Sequence, residues 1–345
     1  MNYICAMSTI NFVSICFRRL LSVAVWLVLL LVALTSCGEA DVAEPAVVRR
    51  FDREVLSYAG LDSAERKVFR DSFESVADIM AAIVTVGEQR IADDGFLERY
   101  SADPKMRFYV PGIERRLGPL DSVEMSLGKA RENARVMLPA ISWPDIYGVV
   151  LTYSQSVVSA DSIILVGLNH YLGPDYEPYS YFDAYQRHAK QKRLIPYHVA
   201  EALVSLAYPY RPSSDATALS RMVYEGAVVE SVLRLLPSSD VPSALGFTDD
   251  GYLWAVENEA PAWKAMIEKG LVHTADPAEI DRLVNPSPHT SILHPSSPGR
   301  MGRFIGHRIV RSYLEGHGGV RLSEILDSAF YNSPKVLVES DYYPE

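Results

Sequence analysis

The chain has 345 residues, 48% of them apolar, and carries 43 Asp and Glu against 33 Lys and Arg, a formal net charge of −10. That is enough apolar material to bury a core in one large domain or two ordinary ones, and it excludes a disordered chain. The acidic balance argues against nucleic-acid binding and against a polybasic hold on a membrane surface.

The first 36 residues contain no acid, carry Arg18-Arg19 and then run apolar from Leu20 to Leu34. A charged start, a short apolar stretch and small residues before a cleavage point make a signal peptide. The apolar run is shorter than the ~20 residues a spanning helix needs. Leu34-Thr35-Ser36-Cys37 resembles a bacterial lipobox, which makes Cys37 the lipidated first residue of the mature chain. Cys5 and Cys16 lie inside the removed segment, so Cys37 has no disulfide partner. Loss of the two arginines leaves 31 basic against 43 acidic residues, so lipid and not charge provides the anchor. Gly38 stands where an Asp commonly retains lipoproteins in the inner membrane, which favours the outer membrane without specifying a face. The expected organisation is a signal peptide over 1–36, a lipidated tether over 37–48 and a single domain over 49–345.

Arg49 to Glu54 begin the ordered chain as a strand or turn. Asp62 or Ser63 caps a helix in which Val68, Phe69, Phe73, Val76, Ile79 and Met80 recur at helical spacing. Residues 90–120 are charged and mixed, with Pro111-Gly112 and Gly118-Pro119 as turn signals. Asp121 to Met137 form a helix with its acids early and its bases late, as the helix dipole favours. Ile146–Tyr153 and Ile163–Leu168 are β-branched runs separated by Ser159-Ala160-Asp161-Ser162, which predicts a β-hairpin. A Tyr-rich loop follows over Asn169–Tyr185. Its Tyr176, Tyr179 and Tyr181 either line a ligand cleft or cover the sheet. From Pro196 on, helices are expected near 196–207, 215–236, 248–269, 276–285, 299–315 and 321–329, with no internal repeat.

His198-Val199-Ala200-Glu201-Ala202 lies on an amphipathic helix. A zinc-peptidase helix sets two His four residues apart with a Glu beside the first as general base. Here His198 fills the first position, but Val199 stands at the base position and Ala202 at the second ligand. Glu225, in Met222-Val223-Tyr224-Glu225-Gly226, sits where such sites often place a third ligand on the next helix. Two ligands hold zinc poorly, so His198 and Glu225 are expected as a structural pair left from a metal site. No catalytic residue, metal or other cofactor is assigned. Ser297 and Pro298 signal the start of the helix carrying Gly302, Gly306 and His307, where an anion could bind beside Arg300. The glycines let another helix come close. Glu257 and Glu259, near Trp254 and Trp263, read as a solvated acidic face.

Several of these stretches, taken together, resemble one family. They are the lipobox, Arg50-Phe51-Asp52, the run Leu165–Tyr176, Met222–Gly226, Glu257-Asn258-Glu259-Ala260 and Ser297-Pro298-Gly299-Arg300 with Ile305-Gly306. In this order and spacing they resemble the gliding-motility lipoprotein GldB family across nearly the whole mature chain. That family is similar, more distantly, to predicted zinc peptidases with a His-Glu-x-x-His helix followed by a Glu-Gly helix. The resemblance implies a degenerate zincin-like architecture and an envelope lipoprotein associated with gliding. The expected fold is therefore α+β and mainly helical, with a small sheet near 146–168 packed by a C-terminal helical bundle. The expected function is that of a non-catalytic outer-membrane lipoprotein that binds envelope or motility-machinery proteins. The alternatives are a metal-dependent peptidase using His198 and Glu225, or a ligand-binding module built on the Tyr-rich loop.

Overall fold

A computed structural model describes residues 43–84, 93–152, 155–160, 162–238 and 240–344. The signal segment and Cys37 lie outside the described residues. From Glu44 to Glu345 the chain forms one unit. It is mainly helical with a small, open, mixed four-stranded sheet. None of the described helices is long and apolar enough to cross a membrane.

The sheet has the order β1-β2-β4-β3, where β1 is Val48–Arg49, β2 Asp145–Val149, β3 Val157–Ala160 and β4 Ile163–Gly167. β1 and β2 are parallel, β2 and β4 are parallel, and β3 returns antiparallel along the outer edge of β4. The two apolar runs are thus neighbours but do not form the expected hairpin. The hairpin is β3–β4, and of the segment read as a turn Ser159 and Ala160 belong to the edge strand that Val157 begins. The reason is burial: every residue of β4 is buried, so both its edges need partners, and β2 and β3 provide one each.

Chain entry is tighter than a tether requires. Ala46 and Val48 are buried, and the Val48 N–H donates to Glu124 in the first turn of the helix Asp121–Met137. A Cβ on Gly128 of that helix would lie 2.2 Å from the Glu44 carbonyl oxygen, so only glycine lets this segment cross. Arg50-Phe51-Asp52 then enters the core. Asp52 is fully buried and bonded by Arg50 at 2.8 Å, while Arg50 also reaches Glu114 at 2.6 Å. Phe51 packs on Phe69, Phe73 and Tyr100.

The mixed stretch over 90–120 forms two helices, Asp94–Ala102 and Pro104–Leu117: Gly118-Pro119 ends the second as a turn signal should, but Pro111-Gly112 lies inside it. Asp93 and Asp103 cap the two helices through their side chains. Pro111 sits inside the second helix on its exposed side, where water can satisfy the carbonyl that a proline leaves unbonded. Gly112 behind it faces Leu172 and Tyr176. The predicted 248–269 helix is two helices, Asp249–Glu257 and Glu259–Glu268, broken at Asn258. Glu257 is exposed, but Glu259 is buried and takes bonds from Arg308 and Tyr342, so the solvated acidic face holds for only one of the pair.

Two helices organise the C-terminal half: α1, Ala218–Leu235, and α2, Met301–Gly316. α1 is buried on nearly every face. It crosses α2 at Gly226 and Gly306, where a Cβ on Gly306 would lie 1.7 Å from the Met222 carbonyl oxygen. Gly302, one turn earlier, meets Leu283 of the helix Pro277–Val284. The glycines do admit a second helix, as their spacing implied.

Candidate functional site

The site forms where α1 and α2 face a third helix, Ile195–Ala207. Its centre is Arg303, 2% exposed in spite of its charge. The guanidinium donates to Glu201 at 2.6 Å, to Glu225 at 3.4 Å and to the Ala244 carbonyl at 3.1 Å. Glu225 also takes Arg221, one turn back on α1, at 2.8 Å. A buried guanidinium shared by two carboxylates follows the rule that charge leaves water only when paired. Burial alone would raise the Glu201 carboxyl, but Arg303, with Arg300 beside it, outweighs burial and holds the group down to about 2.

One turn further along the same crossing lies a second buried pair. Glu230 of α1 accepts from Arg234 at 2.8 Å and from His307 Nε2 at 3.1 Å. Arg303 and His307 are four residues apart on α2, and so reach Glu225 and Glu230 on the facing helix. Sequence reading missed Arg303 and Glu230 as partners. A Glu-x4-Glu on an otherwise apolar helix and an Arg-x3-His on a Gly-x3-Gly helix were the signal available.

His198 does not pair with Glu225. Its Nδ1 is 2.9 Å from the Tyr171 hydroxyl, and the carboxylate that acts on it is Glu201, three residues along its own helix. Burial holds the imidazole neutral, lowered to about 4, and pushes the Tyr171 phenol well up. A phenol that stays protonated and a neutral imidazole share this bond without any charge on either partner. Tyr171 is positioned by its neighbours. The Asn169 amide bonds both the N–H and the carbonyl of Leu151 at 2.9 Å. His170 Nδ1 meets the Ser156 hydroxyl at 2.9 Å, and burial lowers this imidazole to about 3.

These shifts set a pH dependence. Each of the two histidines binds its proton more weakly folded than unfolded, where the pKa is about 6.5. Their contribution is therefore complete above that value and is lost as pH falls towards 4 and 3. We expect the unfolding free energy to fall as pH drops from about 6.5 towards 4, by about 1.4 kcal/mol per pH unit for each neutral histidine. His170→Asn should flatten the slope in an acid titration monitored by circular dichroism.

The Tyr-rich segment divides. Tyr179 is buried, and its hydroxyl donates to the Asn169 carbonyl. Tyr176 is half-buried beneath Arg116, and Tyr181 is 67% exposed. None of these three lines the cavity that opens beside His198; their neighbours Phe182 and Tyr185 do. The cavity measures about 480 Å³, and its far wall is Pro298-Gly299-Arg300. Ser297 is not the cap expected of it. Arg300 precedes the first residue of α2 in a left-handed conformation, φ 64°, and the Met301 N–H is taken by Thr290 at 3.1 Å.

The residues do not fit a peptidase zinc ion. Val199 is fully buried at the base position and Ala202 carries no ligand. Glu225 is committed to two guanidiniums, and no three His, Cys, Asp or Glu come together for a metal among the described residues. What fold and site define is a mainly helical α+β protein whose buried charge network lies beside a cavity lined by both aromatic and basic residues. The chain belongs to the family described as gliding motility protein GldB, matched over residues 38–344. Membership makes it a lipoprotein of the cell envelope. No curated protein and no solved structure matches it.

Proposed function

We propose that the chain is an outer-membrane lipoprotein, anchored through Cys37, that serves gliding by binding envelope or motility-machinery proteins and not by hydrolysis. The observation that carries this is the engagement of Glu201 and Glu225 by Arg303. A peptidase that used Glu201 or Glu225 as its base would need that carboxylate open to a water. Here both candidates are neutralised by a guanidinium. The Ile195–Ala207 helix is, in this reading, a peptidase-like helix that keeps its first His and has lost its chemistry at Val199 and Ala202. His198 and Glu225 persist as packing and pairing groups.

The test is metal content. Full-length protein incubated with zinc and desalted should retain well under one equivalent, unchanged in His198→Ala. One equivalent of zinc that disappears in His198→Ala would overturn the reading and restore the metal-dependent peptidase.

A further inference from the structure

The cavity beside His198 is electrostatically at odds with the chain around it. The protein is acidic, yet among the described residues no Asp or Glu lines the cavity, while Arg300, Lys190, His188 and His198 all do. Below it, three guanidiniums, Arg221, Arg300 and Arg303, stand over two carboxylates, Glu201 and Glu225. Arg303 and Arg221 satisfy those carboxylates. Among the described residues Arg300 makes no ion pair. One of its Nη atoms donates to the Leu245 carbonyl at a long 3.4 Å, and its Nε is buried without a partner.

The backbone is shaped to hold this guanidinium in place. Arg300 is one of two non-glycine residues with positive φ among those described. Gly246, itself at φ +75°, gives way to it, since a Cβ there would lie 2.5 Å from an Arg300 Nη. Strain of this kind persists where the surroundings over-determine it, and it gathers at ligand sites.

We infer that this cavity is a binding site for a small anionic ligand, whose carboxylate or phosphate head sits on the Arg300 guanidinium. An apolar or aromatic body would lie against Phe182, Tyr185 and Phe247. The volume of about 480 Å³ is that of a small-molecule site. Arg offers a planar fork that a carboxylate or phosphate matches with two hydrogen bonds. His198, held neutral by burial, adds a polar ring to the same lining. Lys190, 8% exposed, packs over Phe182 at 4.5 Å and contributes its field. Burial lowers its ammonium to about 8, so an arriving anion would strengthen its charge. The site stands whether or not the protein is catalytic.

Full-length protein in a neutral detergent should be titrated calorimetrically with phenyl phosphate, benzoate and, as the uncharged counterpart, benzamide. One or both anions should bind at millimolar concentration or below while benzamide does not, and the tighter anion identifies the head group. Arg300→Gln should weaken that binding about tenfold to a hundredfold, the range for a charged hydrogen bond. Arg311→Gln, on an exposed arginine paired with Glu315, should leave it unchanged. If Arg300→Gln does not fold, Gln186→Glu decides. Gln186 lines the cavity and accepts from the Asp183 N–H, a bond that Glu keeps while placing a negative charge on the wall. It should abolish anion binding with the unfolding midpoint unmoved. Equal binding of benzamide, no binding of either anion, or full anion binding by a folded Arg300→Gln or Gln186→Glu would each overturn the site.

Discussion

Gly306→Val should be the most damaging single change in the protein, destabilising it by about 5 kcal/mol, the exceptional end of the range for point substitutions. The added Cβ would begin 1.7 Å from the carbonyl oxygen of Met222, and the facing residue, Gly226, already lies against the Gly306 backbone. Neither obstacle is a side chain that could rotate away. Both are helix backbone, so α1 and α2 must move apart. Overpacking in a core ordinarily costs about 1–3 kcal/mol because neighbouring side chains yield. Here separation would also stretch the Arg303–Glu225 and His307–Glu230 pairs that the crossing holds. Gly316, at the other end of α2, has nothing within 4 Å of its would-be Cβ, and Gly316→Ala is the matched control. Urea denaturation of the two variants measures the difference directly.

Arg303→Met comes second, with an expected loss of about 4–5 kcal/mol. The methionine keeps much of the packing of the arginine stem but leaves Glu225, 9% exposed, and Glu201 facing each other without the cation between them. Removing one partner of a buried pair leaves an uncompensated charge, whereas replacing every partner by apolar residues of similar volume is often neutral. Adding Glu201→Leu and Glu225→Leu to Arg303→Met should therefore recover most of the loss. Arg221, the remaining partner of Glu225, keeps 31% of its side chain exposed and can turn to water. A triple variant that recovers nothing would mean that Arg303 stabilises the fold through its Ala244 bond and its packing more than through charge.

What the sequence made legible was local. The helix Asp121–Met137 was placed at its true ends because acids, bases and apolar spacing all sit within the segment itself. The strands were found but wrongly paired, since a five-residue apolar run such as Ile163–Gly167 carries no mark of which neighbours fill its two edges. Pro111-Gly112 misled because a proline on the wet side of a helix gives the same local signal as one in a turn. The site was half legible for the same reason. His198, Glu225 and Arg300 were singled out by residue type, and all three lie in or beside the charge network and its cavity. Arg303 could not be named as the partner of Glu225, because the two meet only once α2 has crossed α1, and Tyr171 reaches His198 only across a separation of 27 residues. Tyr176, Tyr179 and Tyr181 were chosen by composition, and composition does not show that Phe182 and Tyr185 are the rings that face the cavity.

In the function proposed, the Arg303 network is structural and the protein acts by binding. This is tested most directly by expressing the triple variant Glu201→Leu/Glu225→Leu/Arg303→Met in cells whose gliding depends on this chain, with membrane level and unfolding midpoint checked alongside. The account predicts gliding at the wild-type rate, since no carboxylate chemistry is required of the site. A triple variant that is folded, lipidated and present at normal level, yet leaves the cells unable to glide, would contradict it.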